Sequence, residues 1–204
     1  MTRDMKRKYK EQLDIISHRE IEQGQVVLLG DCIMENIDMA KYFPDRTIYN
    51  NSLSGDTTTT LHQTLYKRAI KYKPSKLFLS IGLNDIADET LSVKEIYNNI
   101  VEILTELKRR TKETEIILVT LLPVHPSMRG HGVHERAKDI DNIEVEMLNY
   151  YLKNYARRKH LRIVDAYKHL KNDFDQLHIQ YTSDGFHLNE KGYDLYTSLI
   201  RQHA

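Results

Sequence analysis

Five short segments of the chain, most of them apolar, have the pattern of β-strands. An apolar run of four to eight residues is typical of a strand buried on both faces, which is common in parallel sheets. The five segments lie at residues 26–29, 46–51, 76–82, 115–121 and 161–165. Helix-like segments separate them, and this alternation predicts a mostly parallel α/β sheet, covered by helices on both faces and joined by right-handed crossovers.

In the intervening segments, apolar residues recur every three or four positions, which predicts amphipathic helices. Four of the predicted helix starts have a capping side chain: Asp31 after the first strand and before a helix over residues 33–42, Asp56 at the end of a turn, Ser92 with Glu95 as a capping box, and Asn189 before the last helix, whose apolar face includes Tyr193. Further helices are predicted over residues 1–20, 134–159 and 167–170.

Two of these helices have a predicted inward face. The helix after Ser92 should bury Ile96, Ile100, Ile103, Leu104 and Leu107, and the helix over 134–159 should bury Ile140, Ile143, Met147, Tyr151 and Tyr155. The basic helix over 1–20 is expected to pack on the domain surface or against a partner subunit, with a membrane-surface role as the weaker alternative. No linker or repeat divides the chain, so residues 1–204 are predicted to form one domain.

Composition narrows the class of protein without defining its function. The chain has 204 residues, of which 40% are hydrophobic and 29% are charged, as in soluble globular proteins. Its formal net charge of +1 favours neither nucleic acid nor an anionic membrane as a partner. There is no apolar run of transmembrane length and no apolar signal core, and a single cysteine cannot form an internal disulfide. These features predict a cytoplasmic protein.

Small polar signatures follow the predicted strands. They are Gly30-Asp31-Cys32, Ser54-Gly55-Asp56, Gly82-Leu83-Asn84-Asp85 and, in the last loop, Asp184-Gly185-Phe186-His187. Residues 83–85 are predicted to form a loop after the third strand. The carboxyl ends of parallel strands share one edge of a sheet, which is where α/β proteins bind ligands. Each signature alone has a plain structural explanation as a turn, a helix cap or a core histidine, but the combination in this order is specific.

Cys32 is the residue on which the interpretation depends most. By position alone, it is equally a small buried hydrophobe, as most free cysteines are, or a reactive thiol. Its predicted place at a helix N-terminus favours the thiolate.

With these residues, the chain resembles the SGNH/GDSL hydrolase family. The resemblance rests on Gly30-Asp31-Cys32, Gly55, Gly82-Leu83-Asn84-Asp85 and Asp184-Gly185-Phe186-His187-Leu188-Asn189. It extends from about Val26 to the C-terminal helix. It implies a three-layer α/β/α sandwich with a flavodoxin-like five-stranded parallel sheet, and the hydrolysis of an acyl ester or related bond.

The resemblance also implies a role for each matching position. Cys32 would be the nucleophile, His187 the base, and Asp184 the group that orients the imidazole. The backbone N–H groups of Cys32 and Gly55 and the side chain of Asn84 would form the oxyanion hole. The candidates for the substrate pocket are Asp31, Ile33, Asp85 and Phe186.

The chain departs from the family at the nucleophile, where the family has serine. Cys32 could be native and active, favouring thioesters or activated esters; native in a chain that has lost or changed its activity; or an introduced or modifiable thiol. A Cys32–His187 pair could exist partly as an ion pair. The family's Thr and Gly after the nucleophile are also missing, because residues 33–36 read Ile-Met-Glu-Asn.

The leading hypothesis is a hydrolase for short-chain acyl esters or thioesters that forms a covalent acyl-enzyme and needs no cofactor or metal. The alternative is a catalytically impaired relative that binds a ligand or acts as a thiol redox sensor. A homo-oligomer, if formed, would use the N-terminal helix.

Three histidines, His125, His131 and His134, lie in or beside a loop rich in Pro and Gly that follows the fourth strand. A metal site there is the weaker interpretation, because neither a cysteine nor a suitable carboxylate spacing accompanies them. A mobile loop at the edge of the active site is the stronger one.

Overall fold

The computed structural model describes residues 3–128 and 132–204, in which five strands form one sheet. The strands are β1 Val26–Gly30, β2 Ile48–Asn50, β3 Lys76–Ser80, β4 Glu115–Val119 and β5 Arg162–Val164. Their order is β2-β1-β3-β4-β5, and every neighbouring pair is parallel. This is the flavodoxin-like order, so the fold implied by the resemblance is confirmed.

Helices flank the sheet. They are α1 Arg3–His18, α2 Cys32–Glu35, α3 Met39–Tyr42, α4 Thr58–Arg68, α5 Leu83–Asp88, α6 Val93–Arg110, α7 Glu135–Asp139, α8 Asn142–Lys159, α9 Ala166–Leu170 and α10 Glu190–Arg201. Successive residues of a strand point to opposite faces, and Val27, Leu28 and Leu29 of β1 are all 0% exposed. Both faces of this interior strand are therefore covered, as a three-layer sandwich requires.

Several predicted helix signals are confirmed. Ser92 and Glu95 form the capping box of α6, and Asn189 caps α10 by accepting a hydrogen bond from the backbone N–H of Gly192. The five apolar residues predicted to face inward on α6 are all buried. The apolar face of α1 packs on the chain's own core through Tyr9, Leu13 and Ile16, as expected for a helix on the domain surface. A partner contact through α1 stays a prediction.

The helix predicted over residues 134–159 is interrupted. Ile140 has extended backbone (φ −99°, ψ 124°), and the Asp141 carboxylate caps a new helix by accepting from the N–H of Ile143 at 2.8 Å. The break changes the inward face: Ile143 is 70% exposed and Met147 38% exposed, while the core side of α8 is Val145, Leu148, Leu152, Tyr155 and Ala156. The predicted face was therefore wrong at these two positions.

Three further local predictions were wrong. Residues 33–42 form two short helices, because Asn36 ends α2 and Asp38 caps α3. The cap of α4 is Thr57, which forms a capping box with Thr60, and the Asp56 side chain is used elsewhere. The segment after β3, predicted as a loop, begins the helix α5.

None of the helices in the described ranges is both long and apolar enough to span a membrane.

Candidate active site

Cys32 lies at the carboxyl end of β1, as predicted. A Cβ atom at Gly30 would lie 2.5 Å from the backbone oxygen of Ser80, so only glycine fits where β1 ends beside β3. Asp31 then caps α2 by accepting from the N–H of Ile33 at 3.0 Å. Cys32 is the first residue of α2 and is 6% exposed.

The electrostatic surroundings of Cys32 differ from those expected. Burial, followed by the nearby carboxylates of Asp31 and Glu35, raises the pKa of the thiol well above its ordinary value. The guanidinium of Arg136 acts in the opposite direction, but it does not outweigh burial. The expected thiolate, and with it a resting ion pair with His187, is therefore not favoured. The helix behind Cys32 has only four residues, too few for a substantial dipole.

Burial also disfavours the charged form of Asp31. It is 2% exposed, and burial, with smaller contributions from the Asp56 and Asp85 carboxylates, raises its pKa to about 7. Asp85 accepts three hydrogen bonds from Thr58, two from its N–H and one from its hydroxyl at 2.6 Å. These bonds join the start of α4 to α5.

The oxyanion candidates Gly55 and Asn84 follow β2 and β3, the two strands on either side of β1. Gly55 has φ 77°, a left-handed conformation that favours glycine. The Asn84 amide, on α5, donates to the backbone oxygen of Asp56 at 2.9 Å, directly after Gly55. An amide has two N–H donors, so one remains for a ligand. Glu35 accepts from the N–H of Ser54 at 2.9 Å and also from its hydroxyl, which joins this turn to α2.

A buried ion pair stabilises the turn at Gly55. Asp56 and Arg68 have side chains that are 0% exposed, and their charged atoms lie 2.5 Å apart. Arg68 also donates to the backbone oxygen of Asn51 at 2.9 Å and to that of Gly30 at 3.4 Å. The same guanidinium therefore contacts both the end of β1 and the turn that follows β2.

Asp184 and His187 form a carboxylate–imidazole pair in the loop before α10. One oxygen of Asp184 lies 2.8 Å from His187 Nδ1, and the other accepts from the N–H groups of Phe186 and His187 at 2.9 and 2.8 Å. Burial opposes the charge, but these hydrogen bonds together lower the pKa of Asp184. An ionised Asp184 requires Nδ1 to donate, so Nε2 is the nitrogen that can accept a proton.

Two histidines of the β4–α7 connection hold this loop through their backbones. The N–H of His125 donates to Gly185 O at 2.7 Å, and the N–H of His134 donates to Asp184 O at 2.8 Å. The His134 ring stacks on Phe186 and meets the His187 ring edge-on, with centroids 4.9 and 5.0 Å apart. The connection thus borders the site, as predicted. His131 lies outside the described residues, and within them no three potential ligands are grouped to hold a metal ion.

Tyr193 of α10 lies between the two halves of the site. Its hydroxyl donates to the backbone oxygen of Ile33 at 3.0 Å. Burial, followed by the nearby Cys32, Asp31 and Asp184, raises the pKa of Tyr193. Cys32 and the Asp184–His187 pair are therefore on the same side of the sheet. Among the described residues, no hydrogen bond joins the Cys32 thiol to His187.

The four residues predicted for the substrate pocket are all buried. Asp31, Ile33, Asp85 and Phe186 are each at most 4% exposed. Contact between them and a substrate stays a prediction. An open cleft of about 1020 Å³ lies beside Thr182 and Ser183, just before Asp184, and its wall includes Met128, Val133 and Ile179.

Sequence reasoning missed Tyr193 as a site residue and missed Arg136 altogether. Tyr193 was predicted only as part of the apolar face of α10. Arg136 lies in a charged run without a motif, and its proximity to Cys32 depends on how α7 packs against α5.

A parallel sheet in this strand order, with Gly55, Asn84 and an Asp-x-x-His pair in the segments that follow its strands, is the arrangement of the class of SGNH-type hydrolases. The chain belongs to the GDSL-like lipase/acylhydrolase family, whose model matches residues 37–195. The match includes Gly55, Asn84, Asp184 and His187 and begins after Cys32. The family assignment therefore does not depend on the unusual nucleophile position.

Solved structures agree on the fold. A candidate platelet activating factor from Streptococcus pneumonia is 25% identical, with a TM-score of 0.84, and the match covers 98% of this chain and 92% of that one. A candidate acylhydrolase from Bacteroides fragilis is 24% identical (TM-score 0.79, covering 96% and 93%). A GDSL-like lipase from Bacteroides thetaiotaomicron is 23% identical (TM-score 0.79, covering 98% and 96%). No curated protein sequence matches the chain.

Proposed function

We propose that this acylhydrolase cleaves short-chain acyl esters or thioesters through a covalent acyl-enzyme on Cys32. The observation that carries the proposal is the Asp184–His187 pair: an ionised carboxylate 2.8 Å from Nδ1, which leaves Nε2 as a base on the side of the sheet where Cys32 lies. Family membership supports the hydrolase class but does not assign the substrate.

In the proposed mechanism, His187 Nε2 takes the thiol proton as the Cys32 sulfur attacks the carbonyl carbon. Because the resting thiol is protonated, this transfer is part of the attack and does not precede it. The oxyanion of the tetrahedral intermediate would be held by the N–H groups of Cys32 and Gly55 and by the second N–H of Asn84. His187 then gives the proton to the departing alkoxide or thiolate.

Deacylation repeats these steps with water. His187 takes a proton from the water as its oxygen attacks the thioester carbonyl, the C–S bond breaks, and the proton returns to sulfur. The cleft beside Thr182 and Ser183 would provide space for part of the substrate, and its apolar residues suit an acyl chain or an alcohol of modest size.

The test is a time course with p-nitrophenyl acetate on the protein, on Cys32→Ser and on Cys32→Ala. Steady turnover that is lost in Cys32→Ala and after alkylation supports a cysteine hydrolase. A single burst, with turnover restored by Cys32→Ser, would mean that the thiol traps the acyl group in a site suited to serine. The absence of a burst or turnover in all three forms would contradict the proposal.

The impaired-relative hypothesis is favoured by one observation, the raised pKa of Cys32. A neutral, buried thiol is a weaker nucleophile than a thiolate. This hypothesis expects neither a burst nor turnover in the protein itself, because a weak nucleophile slows the acylation step that releases p-nitrophenol. If Cys32→Ser also releases no p-nitrophenol, the impaired-relative hypothesis is favoured over a site that retains its catalytic geometry.

A further inference from the structure

Arg136 has a guanidinium of which only one half is paired. Its Nη2 atom lies 3.1 Å from the Asp88 carboxylate at the end of α5. Its Nη1 atom is buried and has no hydrogen-bond acceptor among the described residues. Buried charged donors are normally paired, and an exception points to a ligand or a functional role.

Arg136 lies near the nucleophile position. Arg136 is close enough to lower the pKa of both Cys32 and His134, although larger effects dominate at Cys32. α7, which carries Arg136, packs against α5, which carries Asn84. Arg136 therefore approaches the site from the side of the oxyanion candidate.

A purely structural role, in which Arg136 holds α7 against α5, would not explain why Nη1 is unpaired. The contact to Asp88 uses one nitrogen, and the Asp88 side chain is 41% exposed, so solvent screens its charge. A guanidinium is a planar fork of N–H donors that fits the paired oxygens of a carboxylate or phosphate. The other ionisable side chains that act on Cys32 are the carboxyl groups of Asp31 and Glu35, which do not attract an anion, so Arg136 would supply the attraction.

We propose that Arg136 binds an anionic group, a carboxylate or a phosphate, which the substrate carries close to its scissile ester. This inference rests on the proposed function only where it assigns the anion to a substrate. The anion subsite beside Cys32 can be tested without turnover. The chain would then prefer charged esters over neutral esters of the same size.

The first experiment compares alkylation of Cys32 by iodoacetate and by iodoacetamide at alkaline pH. In both reactions the sulfur displaces iodide, and the ratio of the two rates cancels the fraction of thiolate. Cys32 is the only cysteine, so incorporation reports on one site. We expect Arg136→Gln to lower the iodoacetate-to-iodoacetamide ratio by about tenfold, as for the loss of a close charge pair.

Two variants serve as controls. Arg110 pairs with Glu106 at 3.2 Å on α6, and Arg110→Gln should leave the ratio unchanged. Asp88→Asn breaks the link between α5 and α7 but keeps the arginine, so the ratio should hold or rise. An equal fall in Asp88→Asn and Arg136→Gln would show a purely structural role and overturn the inference. So would an unchanged ratio in Arg136→Gln, or a thiol that neither reagent reaches.

The second experiment locates the anion within an ester substrate, using whichever of the Cys32 and Cys32→Ser forms turns over. Mono-p-nitrophenyl glutarate against p-nitrophenyl pentanoate tests a charge on the acyl side, and 3-carboxyphenyl acetate against phenyl acetate tests one on the alcohol side. A preference for one charged member that falls about tenfold in Arg136→Gln supports the subsite. A preference for neither overturns the substrate assignment. If no ester is cleaved, the proposed function fails, and the alkylation ratio still decides the anion subsite.

Discussion

At the end of β1, Asp31 and Cys32 are buried and their pKa values are raised, whereas in the loop before α10 Asp184 accepts several hydrogen bonds and its pKa is lowered. The two regions lie on the same side of the sheet and differ in how they treat charge. Where the chain supplies donors, as it does around Asp184, a carboxylate stays ionised in spite of partial burial. Where it supplies mostly carboxylates and apolar side chains, as around Cys32, protons are retained.

The two regions would therefore differ in the proposed mechanism. The Asp184–His187 pair already has the carboxylate contact at Nδ1 that the proposed general base requires. Cys32 would have to lose its proton while the substrate is bound, so the thiol would depend on His187. A catalytic serine, which is also neutral at rest, would meet the same requirement, so this environment suits a neutral nucleophile.

The largest expected effect comes from the ionised region. In Asp184→Asn, an amide would face His187 Nδ1 and favour the wrong tautomer, and we expect kcat to fall by about 10⁴-fold in whichever form of residue 32 turns over. Steady-state kinetics with p-nitrophenyl acetate measures this. The matched control is Asp175→Asn, which changes a carboxylate paired with Lys171 outside the site and should leave kcat unchanged. A loss of less than tenfold would contradict the role of Asp184.

The second prediction concerns the buried Asp56–Arg68 ion pair. In Asp56→Asn, Arg68 would keep its charge with no carboxylate beside it, and we expect the free energy of unfolding to fall by about 3–5 kcal/mol. Denaturant unfolding measures the change. In the Asp56→Asn/Arg68→Met double variant the unpaired charge is removed, so the loss should be smaller than in Asp56→Asn alone.

An exposed pair provides the control for this comparison. Glu106→Gln breaks the partly exposed contacts of Glu106 with Arg110 and His62 and should cost less than about 1 kcal/mol. If Asp56→Asn costs no more than Glu106→Gln, the buried pair does not support the Gly55 turn in the way described.

The parallel sheet could be predicted because its determinants are local and repeated. Each of β1, β3 and β4 is an apolar run that ends in small or polar residues, and such a run has few alternatives to a buried strand. The Asp184–His187 pair could be predicted because its two residues are three positions apart within one loop. The cap of α10 at Asn189 is equally local.

What could not be predicted depends on packing between distant segments. The pKa of Cys32 follows from burial by elements that are far apart in the chain. Arg136 is brought near Cys32 by the contact of α7 with α5, and no spacing in the sequence encodes it. The break at Ile140 was missed because Asp141 can both continue a helix and cap a new one, and only the packing of α8 selects the second.

The smallest predicted effect tests the protonated region directly. The Asp31 carboxyl has a pKa of about 7 when folded and about 3.9 when unfolded, so near pH 6 the folded protein holds a proton that the unfolded chain has lost. Stability is therefore lost as pH rises through the folded pKa, by about 1.4 kcal/mol between pH 6 and pH 8. Asp31→Asn keeps an acceptor for the N–H of Ile33 but cannot titrate, so its advantage over the parent protein should grow by this amount. Urea unfolding of both proteins at the two pH values measures it. A difference that does not change with pH would show that Asp31 is ionised throughout, and the nucleophile would then lie beside a permanent negative charge.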